Sequence, residues 1–537
     1  MRVSAALELG RASGQARPTR PLARSGALAW LLPSTVDLLF LTCLLTVVAF
    51  APRFLSADGD PGRHLTVGGY ILTTGAIPQA DVFSHTMAGQ PFVPYEWLAE
   101  VLSALSYRVA GLAGPVLLHG AVIGLTFVVL LRHLLGRDHP RAVAVLVTVL
   151  AVSASLVHWL ARPHVFTFLG AAVFAAVLDG WQAGRLGRRW LWTLAPAMLL
   201  WANLHGGFLI GLILIGAYLG ADLLRCLGGT HDQARGALAR LRTLLPLAGA
   251  VLLATLANPA GPALLTHATG YLGKRLLVDL TQEYTSPDFH SPALLPFVAL
   301  LLALLVVVAW SRRRPSLHEG LLMVGFTYFA LYSQRNIPLF AIVLAPPLAA
   351  QLAELPRPNG AVGRALGLAG PLLGRASGER RRAEPRTSGL LWPALAFSAL
   401  FLLAAAQQRA GLRPLGVAFD PALQPVAAAD YLVAHPPAGR GFNQLRWGGY
   451  LLHRLWPAQQ VFIDGQTDFY GEPLTREYMQ VSDLAAGWSQ PLDRRGIDWI
   501  VYSTDSALVR TLAASGGWNV AHRDALATVL IRAQPVS

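Results

Sequence analysis

Cysteine is nearly missing. The 537-residue chain has two, Cys43 and Cys226, both in or at the end of apolar runs, so no disulfide framework is implied. Charge is scarce too: Asp, Glu, Lys and Arg make up 13% of residues, against about a quarter in soluble domains, which excludes an ordinary water-soluble protein. G-x-S-x-G, H-E-x-x-H, Walker A and C-x-x-C patterns are absent. That weighs against a hydrolase, a metalloprotease and a nucleotide-driven pump.

Apolar residues are abundant: 54% of the chain is hydrophobic and the mean hydropathy is +0.47. A polytopic membrane protein is expected. Apolar stretches near 34–52, 114–131, 142–160, 164–181, 190–204, 207–224, 243–257, 292–310, 317–332, 337–354 and 389–407 make eleven spans, of which 190–204 and 317–332 are short. Of the 43 basic residues, 25 fall in the N-terminal tail and alternate loops, among them Arg137, Arg185, Arg225, Arg240 and Arg313. Cytoplasmic loops collect Lys and Arg, so this alternation predicts a multi-pass protein of the cell membrane with its N-terminus inside and its C-terminus outside. The Arg-rich residues 1–33 read as a cytoplasmic tail ahead of a signal anchor, since no cleavage site follows at a convincing distance. The net charge of +14 then belongs to loops facing lipid headgroups and does not indicate nucleic acid.

The expected organisation is a transmembrane domain over 34–410, with an exported loop at 53–113, and a small extracytoplasmic α/β domain over 411–537. "RHLTVGGYILTTG" and "EWLAEVLSALSYRVAGL" read as amphipathic helices along the membrane surface. A second exported loop carries Lys274, Arg275, Glu283 and Tyr284 and has the size to lid a site, though a solvated connector reads equally well. The stretch 355–388 is a Gly, Pro and Arg-rich linker. In the tail, "QPVAAADYLVAH" and "SALVRTLAAS" read as helices, "QQVFID" and "DWIVYS" as strands, and "WNVAHR" with "ATVLIR" as a closing pair.

Polar groups concentrate in the first loop. Asp58-Gly59-Asp60-Pro61-Gly62 is good turn chemistry by itself, but Arg63, His64, Asp81, Ser84, His85, Tyr95 and Glu96 share the same membrane-bound loop. The order of a first span, a D-x-D-type turn, "GGYILTTGAIP..DVFSHT..GQPFVPYEWL", a multi-span bundle and a small exported tail resembles the GT-C superfamily of membrane glycosyltransferases. Within it, the bacterial relatives of the dolichyl-phosphate-mannose protein mannosyltransferases are the nearest in layout. The resemblance covers roughly residues 30–350. It implies a sugar donor on a polyprenyl phosphate or pyrophosphate, and an acidic residue of the first exported loop acting as general base or metal ligand. By position, Asp58 or Asp60 inherits that role.

The chemistry asks for the same parts: a carboxylate to take the acceptor's proton and a cation for the departing phosphate, both at the membrane boundary. The expected assignment is Asp58 as base, Asp60 as base or metal ligand, and Glu96 for orientation or acceptor binding. Arg335 and Arg162 are candidates for the donor phosphate, with snorkelling to headgroups as the plainer alternative. Arg63, His64, His85, His164, Asn203 and His205 complete the candidate substrate contacts, with Asp464 and Asp468 from the tail. A divalent cation, Mg or Mn, is left open, with Asp58 and Asp60 as its ligands if there is one. The tail is expected to recognise the acceptor and to carry no part of the reaction centre. The expected partners are a polyprenyl-phosphate-linked sugar, an extracytoplasmic acceptor and membrane lipids. The alternatives are a non-catalytic polyprenyl-lipid transporter or scramblase, which would bury charge at mid-span, and an envelope-assembly scaffold, which would leave the loop acids dispensable.

Overall fold

The computed structural model describes residues 32–137, 139–270, 282–355 and 390–533. Almost all of the N-terminal tail, Lys274 and Arg275, and the linker from 356 lie outside the described residues.

Each of the eleven apolar stretches overlaps a helix. Among the described residues, eight helices are long and apolar enough to cross a membrane: Ala113–Leu135, Arg141–His158, Val165–Gln182, Gly206–Gly228, His231–Thr255, Pro292–Trp310, Gln334–Ala353 and Leu391–Arg409. The protein is an integral multi-pass membrane protein. The other three expected spans are shorter. The first helix, α1 (Thr35–Ala49), is started by a Ser34–Asp37 capping box and ends at Phe50, where α2 (Ala51–Ser56) begins with Pro52 in its first turn. Leu194–Leu204 has 11 residues and Leu317–Tyr332 has 16. At about 1.5 Å per residue even the longer reaches only about 24 Å of a ~30 Å hydrocarbon core.

One end of the bundle is closed by ion pairs. Asp179 is met by Arg137, Arg185 and His133, Asp222 by Arg225 and Arg240, and Glu319 by Arg313. The functional cluster lies at the other end, where α3 (Asp60–Thr74) and α4 (Trp97–Ala110) of the first loop pack against each other. Both expected loop helices form, but α3 is no surface helix: ten of its fifteen residues are buried. What buries its N-terminal turns is the C-terminal domain. An added Cβ at Gly62 would lie 2.5 Å from the Gly449 carbonyl oxygen, and one at Gly449 would lie 2.3 Å from that of Gly59. Only glycine allows α3 and the Gly448–Leu455 helix to approach so closely.

The tail holds a four-stranded mixed sheet of β1 (Arg440–Asn443), β2 (Ile497–Ser503), β3 (Trp518–Arg523) and β4 (Ala527–Arg532), in the order β1-β2-β4-β3. β1 runs parallel to β2, and β4 pairs antiparallel with both β2 and β3. The Val426–Ala434 and Ala507–Ala514 helices and the β3–β4 pair form as expected. "QQVFID" does not join the sheet. Its Val461 carbonyl accepts from His85 N–H at 3.1 Å and its N–H donates to the Phe83 carbonyl at 3.3 Å. The Asn443 side chain holds Phe462 N–H and the Ile463 carbonyl, both at 2.8 Å. The first loop therefore takes the hydrogen bonds that a neighbouring strand would have supplied.

Candidate active site

The Asp58-Gly59-Asp60 turn starts α3. Asp58 Oδ1 accepts from Asp60 N–H at 3.0 Å, an Asx turn that fixes both carboxylates on one side. Pro61 follows in the first helical turn, where its missing N–H costs nothing. Arg162, from the tight turn before the Val165–Gln182 helix, reaches across to this pair. It forms ion pairs with Asp58, with Asp60 at 2.7 Å and with Glu283 at 3.3 Å. Glu283 also meets Arg335 at 3.3 Å, and the Arg335 guanidinium lies 4.3 Å above the Tyr284 ring. Two loops and two inter-helix turns are thus joined in one charged row.

A second row runs through Glu96. Its Oε1 is 3.4 Å from His205 Nε2 and its Oε2 is 3.8 Å from His64 Nδ1. His64 lies closer to Glu100, at 3.2 Å. The tautomer of His205 follows from its other nitrogen. Gly207 N–H donates to Nδ1 at 2.9 Å and the Thr167 hydroxyl lies 2.7 Å from the same atom. Nδ1 is therefore the acceptor, and the N–H sits on Nε2, facing Glu96. Trp201 Nε1 donates to Thr167 Oγ1 at 3.0 Å, completing a relay that orients Glu96.

Charge states differ along these rows. Burial, with Asp58, Asp464 and Glu283 nearby, outweighs Arg162 and pushes the Asp60 carboxyl up to about 7. Burial likewise pushes Glu96 up to about 7 against the pull of His64. Burial opposes ionisation of Glu283 as well, but Arg162 and Arg335 overcome it and hold that carboxyl down at about 2. Burial, with Arg335 and Arg162 close by, keeps His205 well below the ordinary histidine range.

These groups open into a cavity of about 990 Å³. The helices give it an apolar wall that includes Phe168, Leu209, Ile213, Leu264, Tyr328 and Leu339. Ile213 and Tyr328 also present exposed surface, so the apolar wall continues to the outside of the bundle. The tail supplies a further wall with Leu445, Arg446, Gln466, Asp468 and Thr475. Asp468 is 3.0 Å from His267, whose ring lies tilted against that of Tyr95 with 4.7 Å between centroids.

Asp58, Asp60, Arg63, His64, Glu96, Arg162, His164, His205, Arg335 and Asp468 all line this cavity. Three expected contacts do not. His85 Nε2 lies 2.9 Å from the Gly441 carbonyl, and its ring packs on Phe462. Asn203 ties helices together through Trp97 Nε1 at 2.7 Å and the Leu199 and Ala257 carbonyls, both at 2.8 Å. Asp464 is fully buried and accepts from Arg63 Nε at 3.0 Å and from Gln466 N–H at 2.9 Å. All three are held by protein partners and lie outside the cavity lining. Glu283, His158 and His267 line the cavity without having been singled out as site residues. Glu283 stood in a loop already read as a lid, and its Glu-Tyr pair was the available signal.

The architecture recurs in solved proteins. The oligosaccharyltransferase AglB of Archaeoglobus fulgidus in its apo form matches with a TM-score of 0.51 at 14% identity, over 86% of this chain and 69% of that one. The chain has a GT-C-like fold. The complex of AglB with an inhibitory peptide and a dolichol-phosphate gives a TM-score of 0.50 at 13% identity, over 86% and 69% of the two chains. ArnT from Cupriavidus metallidurans bound to undecaprenyl phosphate aligns over 95% of this chain and 99% of that one, at 17% identity and a TM-score of 0.49. No family model matches the chain, and no curated protein matches it in sequence.

Proposed function

We propose that this protein is a membrane glycosyltransferase that moves a sugar from a polyprenyl-phosphate-linked donor to an acceptor outside the cytoplasm. The observation that carries this reading is the composition of the cavity: carboxylates and arginines at the loop end, and an apolar helix wall running out to the bundle surface. A ligand complementary to both is an amphiphile with an anionic, hydroxyl-rich head and a hydrocarbon tail. The dolichol-phosphate bound by AglB, whose fold this chain shares, is such a molecule.

In this reading Asp58, the more exposed of the two turn carboxylates, accepts the proton of the acceptor hydroxyl as the hydroxyl oxygen attacks the anomeric carbon. The bond from that carbon to the donor phosphate oxygen breaks, and the phosphate leaves on the polyprenol. Arg162 orients Asp58 and, with Arg335, faces the leaving phosphate. Glu96, held by His205, orients the acceptor.

A metal is not part of the proposed chemistry. Arg162 already lies between Asp58 and Asp60, so a divalent ion held by these two carboxylates would have to displace it. This donor set fits a guanidinium better than a divalent ion. Sugar transfer by protein reconstituted in liposomes, tested with a panel of radiolabelled polyprenyl-phosphate sugars, is the direct check. Label reaching an acceptor or water from one of them is expected. Transbilayer movement of intact donor with no sugar released, at every member of the panel, would establish the transporter instead.

A further inference from the structure

The arginines assigned to the donor phosphate are already neutralised. Asp58, Asp60 and Glu283 surround Arg162, and Glu283 also holds Arg335. Arg63, the third arginine of the cavity, is bound to buried Asp464. Three carboxylates against two guanidinium groups make a poor receptor for an anion. A further positive charge is needed.

Arg446 supplies it. Among the described residues lining the cavity, it is the arginine whose side chain makes no ion pair or hydrogen bond. Its backbone is held firmly: Leu445 N–H donates to Tyr478 Oη at 3.0 Å, and the buried Trp447 donates from Nε1 to the Leu423 carbonyl at 3.2 Å. It also sits directly on the acidic turn, since a Cβ at Gly59 would come within 2.2 Å of the Arg446 carbonyl oxygen. Glycine between the two aspartates is what lets the tail press this residue against them. The residue is exposed and lines the cavity. A guanidinium on a rigid base, uncommitted and next to the proposed base, has the chemistry of a phosphate clamp.

We infer that Arg446 of the C-terminal domain binds the phosphate of the lipid-linked donor, so that the donor site is completed by the tail. This rests on the glycosyltransferase reading above. The test compares binding of a short-chain polyprenyl phosphate and the matching polyprenol, in detergent, to the full-length protein and its variants. Arg446→Ala should weaken polyprenyl phosphate binding about ten- to a hundredfold, leave polyprenol binding unchanged and flatten the dependence of affinity on salt. Arg446→Lys should recover part of the loss. Arg476→Ala, on an exposed arginine paired with Glu472 away from the cavity, should change nothing. If wild-type protein prefers the phosphate and Arg446→Ala keeps that preference, Arg446 is not the clamp although the functional reading survives. If wild-type protein binds the phosphate no better than polyprenol, both fall. Competition separates lipid sources: equal displacement by phosphatidylglycerol vesicles would make Arg446 a general headgroup anchor and overturn the assignment, whereas inorganic phosphate should compete only weakly because it lacks the apolar tail.

Discussion

In the proposed reaction, Asp58 is the residue on which the chemistry turns. Asp58→Asn keeps the Asx turn through its remaining oxygen but cannot accept a proton, so transfer should fall about 10²- to 10⁴-fold while expression and insertion stay normal, as read by sugar release and detergent-extracted yield. Unchanged transfer would remove it from the mechanism. Glu96 tests the electrostatics. Its carboxyl rises from an ordinary 4.5 to about 7, so the stability tied to its neutral form is complete below the ordinary value and is lost as pH climbs through about 7. Two and a half pH units correspond to on the order of 3 kcal/mol. Glu96→Gln, which cannot ionise, should therefore melt at a higher temperature than wild type at pH 8 and at a similar one at pH 5. The same titration acts on the donor. A phosphodiester carries one negative charge throughout this range, while Asp60 and Glu96 both charge as pH passes about 7. Donor binding should be tighter at pH 6 than at pH 8, and an Asp60→Asn, Glu96→Gln double variant should show a flatter profile.

Among the elements, the crossing of α3 with the Gly448–Leu455 helix decides whether the site exists. Ala at Gly62 or Gly449 would meet backbone within about 2.5 Å, and backbone cannot step aside as a flexible side chain can. Either substitution should open the loop–tail junction, seen as faster proteolysis after Arg446 together with loss of donor binding; resistance equal to wild type would show the junction to be tolerant. Elements were also where the sequence was most readable. Long apolar runs announce helices because they carry their own burial signal, and "DWIVYS" announces a central strand for the same reason. "QQVFID" shows the limit: its apolar pattern is equally that of a strand and of an extended segment claimed by another part of the chain, and the partner was residues 83–86, nearly 380 positions away. The candidate site divides in the same way. Asp58, Asp60, Arg63, His64 and Glu96 could be picked out because they crowd one loop. Glu283 stood in a loop read as a lid, but what sets Glu283 and Arg446 apart is proximity to the first loop, which local sequence does not encode. His85, Asn203 and Asp464 show the converse, polar residues whose partners are structural and invisible until the chain is folded.

At the scale of the whole molecule, the tail and the bundle line one cavity together. A chain ending near residue 410 would keep the spans but lose the wall formed by Leu445, Arg446, Gln466 and Asp468, along with the cover over α3. Donor binding should disappear with transfer in such a truncation, measured against full-length protein at equal folded amounts. Retention of wild-type donor affinity would restore the picture of an independent acceptor-binding module.

The buried Arg63–Asp464 pair joins residues 401 positions apart, and that span has a temporal meaning. Arg63 leaves the ribosome early, and its counter-charge is made only after nearly every hydrophobic helix. For most of its synthesis the chain carries a guanidinium in the first loop whose native partner does not yet exist, so the N-terminal turns of α3 lack the counter-charge that buries them. The Arg63–Asp464 pair can therefore form only after the last described span has been made, whatever the order in which the helices enter the bilayer. On the proposed function, an unfinished chain would be inert toward the lipid carrier, and donor would be spared from nascent protein without any dedicated inhibitor.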